Sequence, residues 1–330
     1  MGNKRIFYLD FIRVVALFCI IWCHTNNIEY DSYLLEKVKW FLGKCGVPLF
    51  FTISGYLAFP QNKPIKEFII NKIKRVVLPF VSWLIIYAVW AYFYGIPVVI
   101  NGDILNEGSA HLWFIYVIIG LYIMVPILNP FIMSISRNVL KGYLILWGIT
   151  SLFPLLISYY DISYTEHNCF YTLNYIYGYI GYFLLGTYFR KYEDSSRIFK
   201  PLTSIVLLVI STILISIYFF IFNCQTVVVS DHKGLPMVLY SISMFGILRN
   251  VSAYFQNSKI NNTIIEMSTN SFGIYLCHML IVFHVYPLIP VFDYIPDLLS
   301  TLIFVIINLM LSFVFVKILS RFRYSEFLLG

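Results

Sequence analysis

MGNKRIFYLDFIRVVALFCIIWCHTNN, residues 1–27, decides the class of this chain. From residue 6 to residue 27 it is apolar for long enough to cross a hydrocarbon core, which takes roughly 20 helical residues. Arg13 and His24 stand inside that run. Ionisable groups at membrane depth are costly and by default mark functional sites. Eleven residues bring a helix back to within about 20° of its starting direction and advance it about 16 Å. The two side chains therefore share a face, one near the inner mouth of the span and one near its far end. That spacing suits a reaction that takes a group from one side of a bilayer to the other.

The whole chain has the same character. Of its 330 residues 60% are apolar and 12% charged, about half the charge of an average chain. Mean hydropathy is +0.79. An aromatic content of 19% suits interfacial belts and packed intramembrane cores. A soluble domain is excluded. The N-terminal apolar stretch is long, holds Arg13 and lacks a small-residue cleavage site, so we expect a retained first span and not a cleaved signal peptide. Cys19, Cys23, Cys45, Cys169, Cys224 and Cys277 form no CxxC pair and are expected as packing residues, with no metal site.

Ten apolar runs of spanning length are expected, near 6–27, 42–59, 76–95, 112–133, 140–158, 170–189, 201–222, 235–252, 264–287 and 298–319. The basic residues test this count. With the N-terminus in the cytoplasm, 18 lysines and arginines fall in inner segments and four in outer loops, Lys37, Lys39, Lys44 and Lys233. The positive-inside rule is obeyed everywhere except at the slightly basic first outer loop. The net charge of +7 is thus explained by topology and points to no nucleic acid. The expectation is an all-α, polytopic membrane bundle of about ten transmembrane helices, one domain over residues 1–330, with both termini cytoplasmic. No P-loop, dinucleotide fingerprint or appended soluble domain is expected.

Under this topology all six histidines lie in the outer half or in outer loops. His24 is the candidate base, because imidazole titrates near neutrality and can take a proton from a hydroxyl; a polar helix end at the interface is the structural alternative. Arg13 can pair with Asp10, one turn away, or bind a phosphate or carbonyl of a substrate entering from the cytoplasm. The segment KPIKEFIINKIKRV, residues 63–76, carries topology-setting charge, yet Lys72 and Arg75 would share a face and could grip the phosphates of a nucleotide cofactor. His111 opens the fourth span as part of a His-Trp belt or as a group facing the reaction. SFGIYLCH places Ser271 and His278 seven residues apart on one helix face, as substrate-side candidates or, for Ser271 with Gly273, as helix-packing residues. Pro48, Ser54 and Gly55 in PLFFTISGYL permit close helix approach.

Five segments in order resemble the acyltransferase-3 family of bacterial integral-membrane acyltransferases. They are YLDFIRVVALFCIIWCH, with ten residues between its Arg and His; PLFFTISGYL; the basic stretch into RVVLPF; HLWFIYVIIGLYIMVPIL; and NSFGIYLCH, together reaching from residue 8 to residue 278. The resemblance implies transfer of an acetyl or other short acyl group from cytoplasmic acetyl-CoA to a hydroxyl of a cell-envelope polysaccharide, such as O-antigen, or of a lipid-linked glycan. It implies a multi-pass protein of the bacterial inner membrane, surrounded by membrane lipid and using no metal. Carried over, the family's first-helix Arg and His fall on Arg13 and His24, and its basic pair before the third span on Lys72 and Arg75. The family commonly shows two arginines at that pair, and a small residue where Val14 follows the motif Arg. His111 or a backbone N–H would serve the oxyanion. Direct attack and an acyl-histidine both remain open, as do the acceptor sugar, the acyl group and the oligomeric state. A glycan or lipid transporter without covalent chemistry is the rival class, although paired half-repeats with broken helices are not visible in the sequence.

Overall fold

The computed structural model describes residues 5–25, 41–95, 111–153, 178–193, 197–220, 232–289 and 297–330. Among these residues 85% are helical and none forms a strand. In chain order the helices are α1 (Phe7–Cys23), α2 (Gly46–Ala58), α3 (Ile65–Lys72), α4 (Leu78–Phe93), α5 (Trp113–Ser134), α6 (Arg137–Thr150) and α7 (Tyr179–Lys191). They continue as α8 (Pro201–Phe220), α9 (Leu235–Phe255), α10 (Asn261–Thr269), α11 (Ser271–Val285), α12 (Asp297–Leu319) and the short α13 (Glu326–Leu329).

Six helical segments are long and apolar enough to cross a membrane: Phe41–Ala58, Ile65–Phe93, Trp113–Ser134, Leu235–Phe255, Ser271–Leu288 and Leu298–Leu319. The expected first span is a helix of 17 residues, and α8 adds a further apolar helix. The expected fifth and sixth spans run from α6 and α7 into residues outside the described ones, as does the first outer loop with Lys37 and Lys39.

Two expected boundaries move. The helix that carries the third span begins at Ile65, ahead of the expected residue 76, because α3 continues through a π-helical turn, Ile73–Val77, into α4. Pro79 has no N–H to give, and a widened turn accommodates the missing bond. The ninth span, expected over 264–287, divides at Asn270, where φ is −92° and ψ is 7°. The Asn270 side chain donates to the Glu266 carbonyl at 2.8 Å, the local competition by which Asn interrupts helices.

Helix α1 is the central post. Its buried residues, among them Leu9, Ile12, Ala16, Leu17 and Ile20, surround the axis, and it packs against α2, α9, α10, α11 and α12. A helix apolar on all sides belongs inside a bundle. Helix α12 shows the converse pattern. Leu302, Ile306, Met310, Val314 and Ile318 are exposed at four-residue spacing, whereas Asn308 and Ser312 are fully buried. Polar groups inward and aliphatic groups outward suit a hydrocarbon solvent.

Helices α2 and α7 cross in close backbone contact. A Cβ added at Gly55 would stand 1.8 Å from the Phe183 carbonyl oxygen, and one at Gly186 would stand 1.9 Å from that of Thr52. Thr187 also donates to the Gly55 carbonyl at 3.3 Å. The close approach expected for PLFFTISGYL is therefore realised through Gly55. Gly55→Ala should force these backbones apart and cost about 1–3 kcal/mol, read as a lower Tm of the detergent-purified protein. An unchanged Tm would show that the crossing can slide.

Candidate active site

Three histidines from three helices meet at one end of α1. The ring centroids of His24 and His278 are 5.1 Å apart, those of His24 and His111 6.1 Å, and those of His111 and His278 5.0 Å. The sequence placed them at similar depth; the structure brings them into one cluster. His24 caps α1, His111 precedes α5, and His278 lies two turns into α11.

Backbone carbonyls set the tautomers of two of them. His24 Nδ1 lies 2.9 Å from the Ile20 carbonyl, and His278 Nδ1 lies 2.6 Å from that of Tyr275. A carbonyl only accepts, so each Nδ1 carries the proton and each Nε2 the lone pair. His278 Nε2 lies 3.3 Å from His24 Nδ1 and shares that proton. The free lone pair of His24 is thus on Nε2. His278 is buried, and its carbonyl accepts from Asn308 at 3.1 Å, with Ser312 donating to Asn308 Oδ1 at 3.0 Å. This polar pair on α12 locks His278, which in turn steadies His24.

His111 differs. It is buried, and both of its ring nitrogens lack a hydrogen-bond partner among the described residues. Leaving such a group unpaired costs about 1–3 kcal/mol, which needs a purpose. Around it, the Tyr275 hydroxyl donates to the His111 carbonyl, Tyr87 donates to the Leu276 carbonyl at 2.8 Å, and the Tyr87 ring lies 5.1 Å from the imidazole. A cavity of about 190 Å³ runs along His24 and His111, walled by Cys23, Trp113, His232 and Tyr275.

The other end of the molecule is basic. A cavity of about 510 Å³ is lined by Arg13, Lys72, Arg75, Phe114, Tyr122 and Tyr275, among others. The three residues expected to bind a cofactor therefore share one cavity. The Lys72 ammonium sits 3.5 Å from the centre of the Tyr122 ring. Tyr275 lines both this cavity and the histidine cavity, so its side chain stands between them. Ser271 lies on the basic side with Arg13, two turns from the histidines, and is not brought to His278.

The expected pairing of Arg13 with Asp10 is present, as the longer part of a wider network. Asp10 is held chiefly by Arg5, in a two-pronged bond of 2.7 and 3.0 Å, and by Ser268 at 2.6 Å. Arg13 approaches Asp10 to 3.9 Å and donates to Ser268 at 3.0 Å. Arg5 lies earlier on α1's approach and reaches Asp10 first, which leaves Arg13 fewer fixed bonds and a place in the cavity wall. Sequence reading also passed over Tyr275, Asn308, Ser312 and Arg190. Tyr275 could have been found as the residue one turn before His278; the α12 pair could have been found as polar residues inside an apolar span.

An acyltransferase-domain family model matches residues 6–317 of the chain. The chain belongs to the acyltransferase-3 family. No curated protein and no solved structure matches it. It is accordingly a membrane acyltransferase by family, with its multi-pass character supported by the six apolar helices.

Proposed function

We propose that this acyltransferase-3 protein moves an acetyl or other short acyl group from cytoplasmic acetyl-CoA to a hydroxyl of a cell-envelope polysaccharide or lipid-linked glycan. The observation that carries this reading is the pair of cavities on either side of Tyr275, one lined by Arg13, Lys72 and Arg75 and the other by His24 and His111. A highly anionic donor suits the first, and a neutral hydroxyl in need of a base suits the second. Ten spans with both ends cytoplasmic, in a bacterial inner membrane, complete the proposal, and the positive-inside pattern of the basic residues supports a cytoplasmic mouth for the basic cavity.

In the transfer, His24 Nε2 takes the proton as the acceptor oxygen attacks the thioester carbonyl carbon. The C–O bond forms, the C–S bond breaks, and the sulfur leaves as thiolate and is then protonated. Attack by His24 Nε2 itself, giving an acyl-imidazole that the acceptor hydroxyl then opens, uses the same atoms. His111 has both ring nitrogens uncommitted, and the one bearing the proton can donate to the carbonyl oxygen as charge develops there.

Membranes containing the protein, incubated with radiolabelled acetyl-CoA, should place label in a glycan fraction. Absence of labelled product would favour the transporter reading. In inside-out vesicles the donor should work from the exposed cytoplasmic face. Arg75→Glu should weaken acetyl-CoA binding by about tenfold or more and leave acceptor binding largely intact, once correct insertion has been checked. Equal donor affinity in that variant would remove Arg75 from the donor site.

A further inference from the structure

A second basic cavity, of about 480 Å³, opens beside the first and is not used by the chemistry above. Arg5, Asp10, Arg13, Tyr56, Asn62 and Arg190 are among its walls. The two cavities share Arg13, Leu57, Thr269 and Ser271, so they adjoin along one wall. Only the first reaches Tyr275; the second leads away from it, towards Asn62 and Arg190.

The charge of this cavity is unbalanced. Arg5 is committed to Asp10, leaving Arg13 and Arg190 as positive charge in excess. Among the described residues no carboxylate lies within ion-pair distance of Arg190. Its guanidinium rests 5.2 Å from the centre of the Tyr56 ring and reaches the Tyr56 hydroxyl at 3.5 Å. The nearby carboxylate is already taken. Glu193 accepts from Tyr56 at 2.6 Å, from Tyr8 at 3.0 Å and from Arg249 at 2.9 Å. Burial alone would raise the Glu193 carboxyl, yet those bonds hold it below its usual range, so it stays ionised against Arg249. Tyr56, pinned between them, keeps Arg190 at the cavity wall.

We propose that this second cavity receives the phosphate farthest from the thioester of the acyl donor, the 3′-phosphate of coenzyme A, and that Arg190 selects for it. The inference rests on the acyl-CoA reading above. A thioester presented at Tyr275 must enter through the first cavity, which places the donor's diphosphate near Arg13, Lys72 and Arg75. The opposite end of an extended donor then passes the shared wall into the second cavity, where a planar fork can hold a phosphate in two-pronged fashion.

The test compares binding of coenzyme A and 3′-dephospho-coenzyme A to the detergent-purified full chain, by calorimetry. Wild type should prefer coenzyme A by about tenfold or more, the worth of one charged hydrogen-bonded contact. Arg190→Gln should bring the two affinities within about twofold while leaving that for the dephospho form unchanged. Arg75→Gln should weaken both ligands and keep the preference. Asn62→Asp, which sets a negative charge in the same cavity without touching the Tyr56 network, should also erode the preference; it serves if Arg190→Gln melts early. A preference retained in both cavity variants overturns the proposal and spares the donor reading. Failure of wild type to bind either ligand overturns both. Saturation of the site by inorganic phosphate or anionic-lipid micelles, with no preference between the two coenzymes, would assign the cavity to those anions and overturn the proposal.

Discussion

Acyl transfer is expected to fall by about 10²- to 10⁴-fold in His24→Ala, the usual worth of a positioned general base, with expression and membrane insertion near those of wild type. The side chain caps α1 and lines a cavity, so its removal leaves the apolar packing of α1 in place. What it does remove is the one imidazole of the cluster whose Nε2 is fixed as a lone-pair atom by a backbone carbonyl and is not engaged with another histidine. His278 cannot substitute, because its own Nε2 is engaged with His24 and it is fully buried. Label transfer from acetyl-CoA in membranes, normalised to protein amount, measures the effect. If His24→Ala retains substantial activity while His111→Ala does not, the base is His111, the imidazole left unpaired.

Arg13→Lys is the second severe change, with an expected loss of about 10- to 100-fold in activity, the range of one or two charged hydrogen bonds. Arg13 must hold Ser268 at 3.0 Å, face Asp10 at 3.9 Å and still present donors to both basic cavities. A guanidinium does this with five N–H groups in a plane; an ammonium offers three from a single point. The loss should appear mainly as weaker apparent affinity for acetyl-CoA. Near-normal kinetics in the lysine variant would reduce Arg13 to a positive charge. Asp10→Asn makes a useful contrast: it weakens the Arg5 bond and should act mainly through protein yield, since the Asp10 carboxylate is committed to Arg5 and Ser268 within the cavity wall.

What could be read from the sequence was whatever depends on spacing along a single helix. Arg13 and His24 share a face because eleven residues nearly complete three turns, and that relation needs no partner helix. The close approach at Gly55 was also legible, since a glycine in an apolar span has few other uses. Depth was legible for the histidines, but their convergence was not: it depends on how α1, α5 and α11 cross, which no single segment encodes. The Asp10–Arg13 pairing was legible from helical spacing, but the network around it was not. Helical spacing made Arg13 the obvious partner, whereas Arg5 reaches back from outside the helix and Ser268 arrives from α10. Asn308 and Ser312 were visible as polar residues in an apolar run, but only the folded chain shows that they serve His278.

Tyr275 has a consequence for the energised membrane. Tyr275 lines both cavities, and its hydroxyl is tied to the His111 backbone. A catalyst with mouths on both faces of a bilayer would drain the proton-motive force if ions could follow the acyl group through it. On the two-sided reading proposed above, Tyr275 would be the constriction between the two vestibules, and only the small reacting carbonyl would need to pass it. On that reading the bundle would do trans-bilayer chemistry and remain electrically tight.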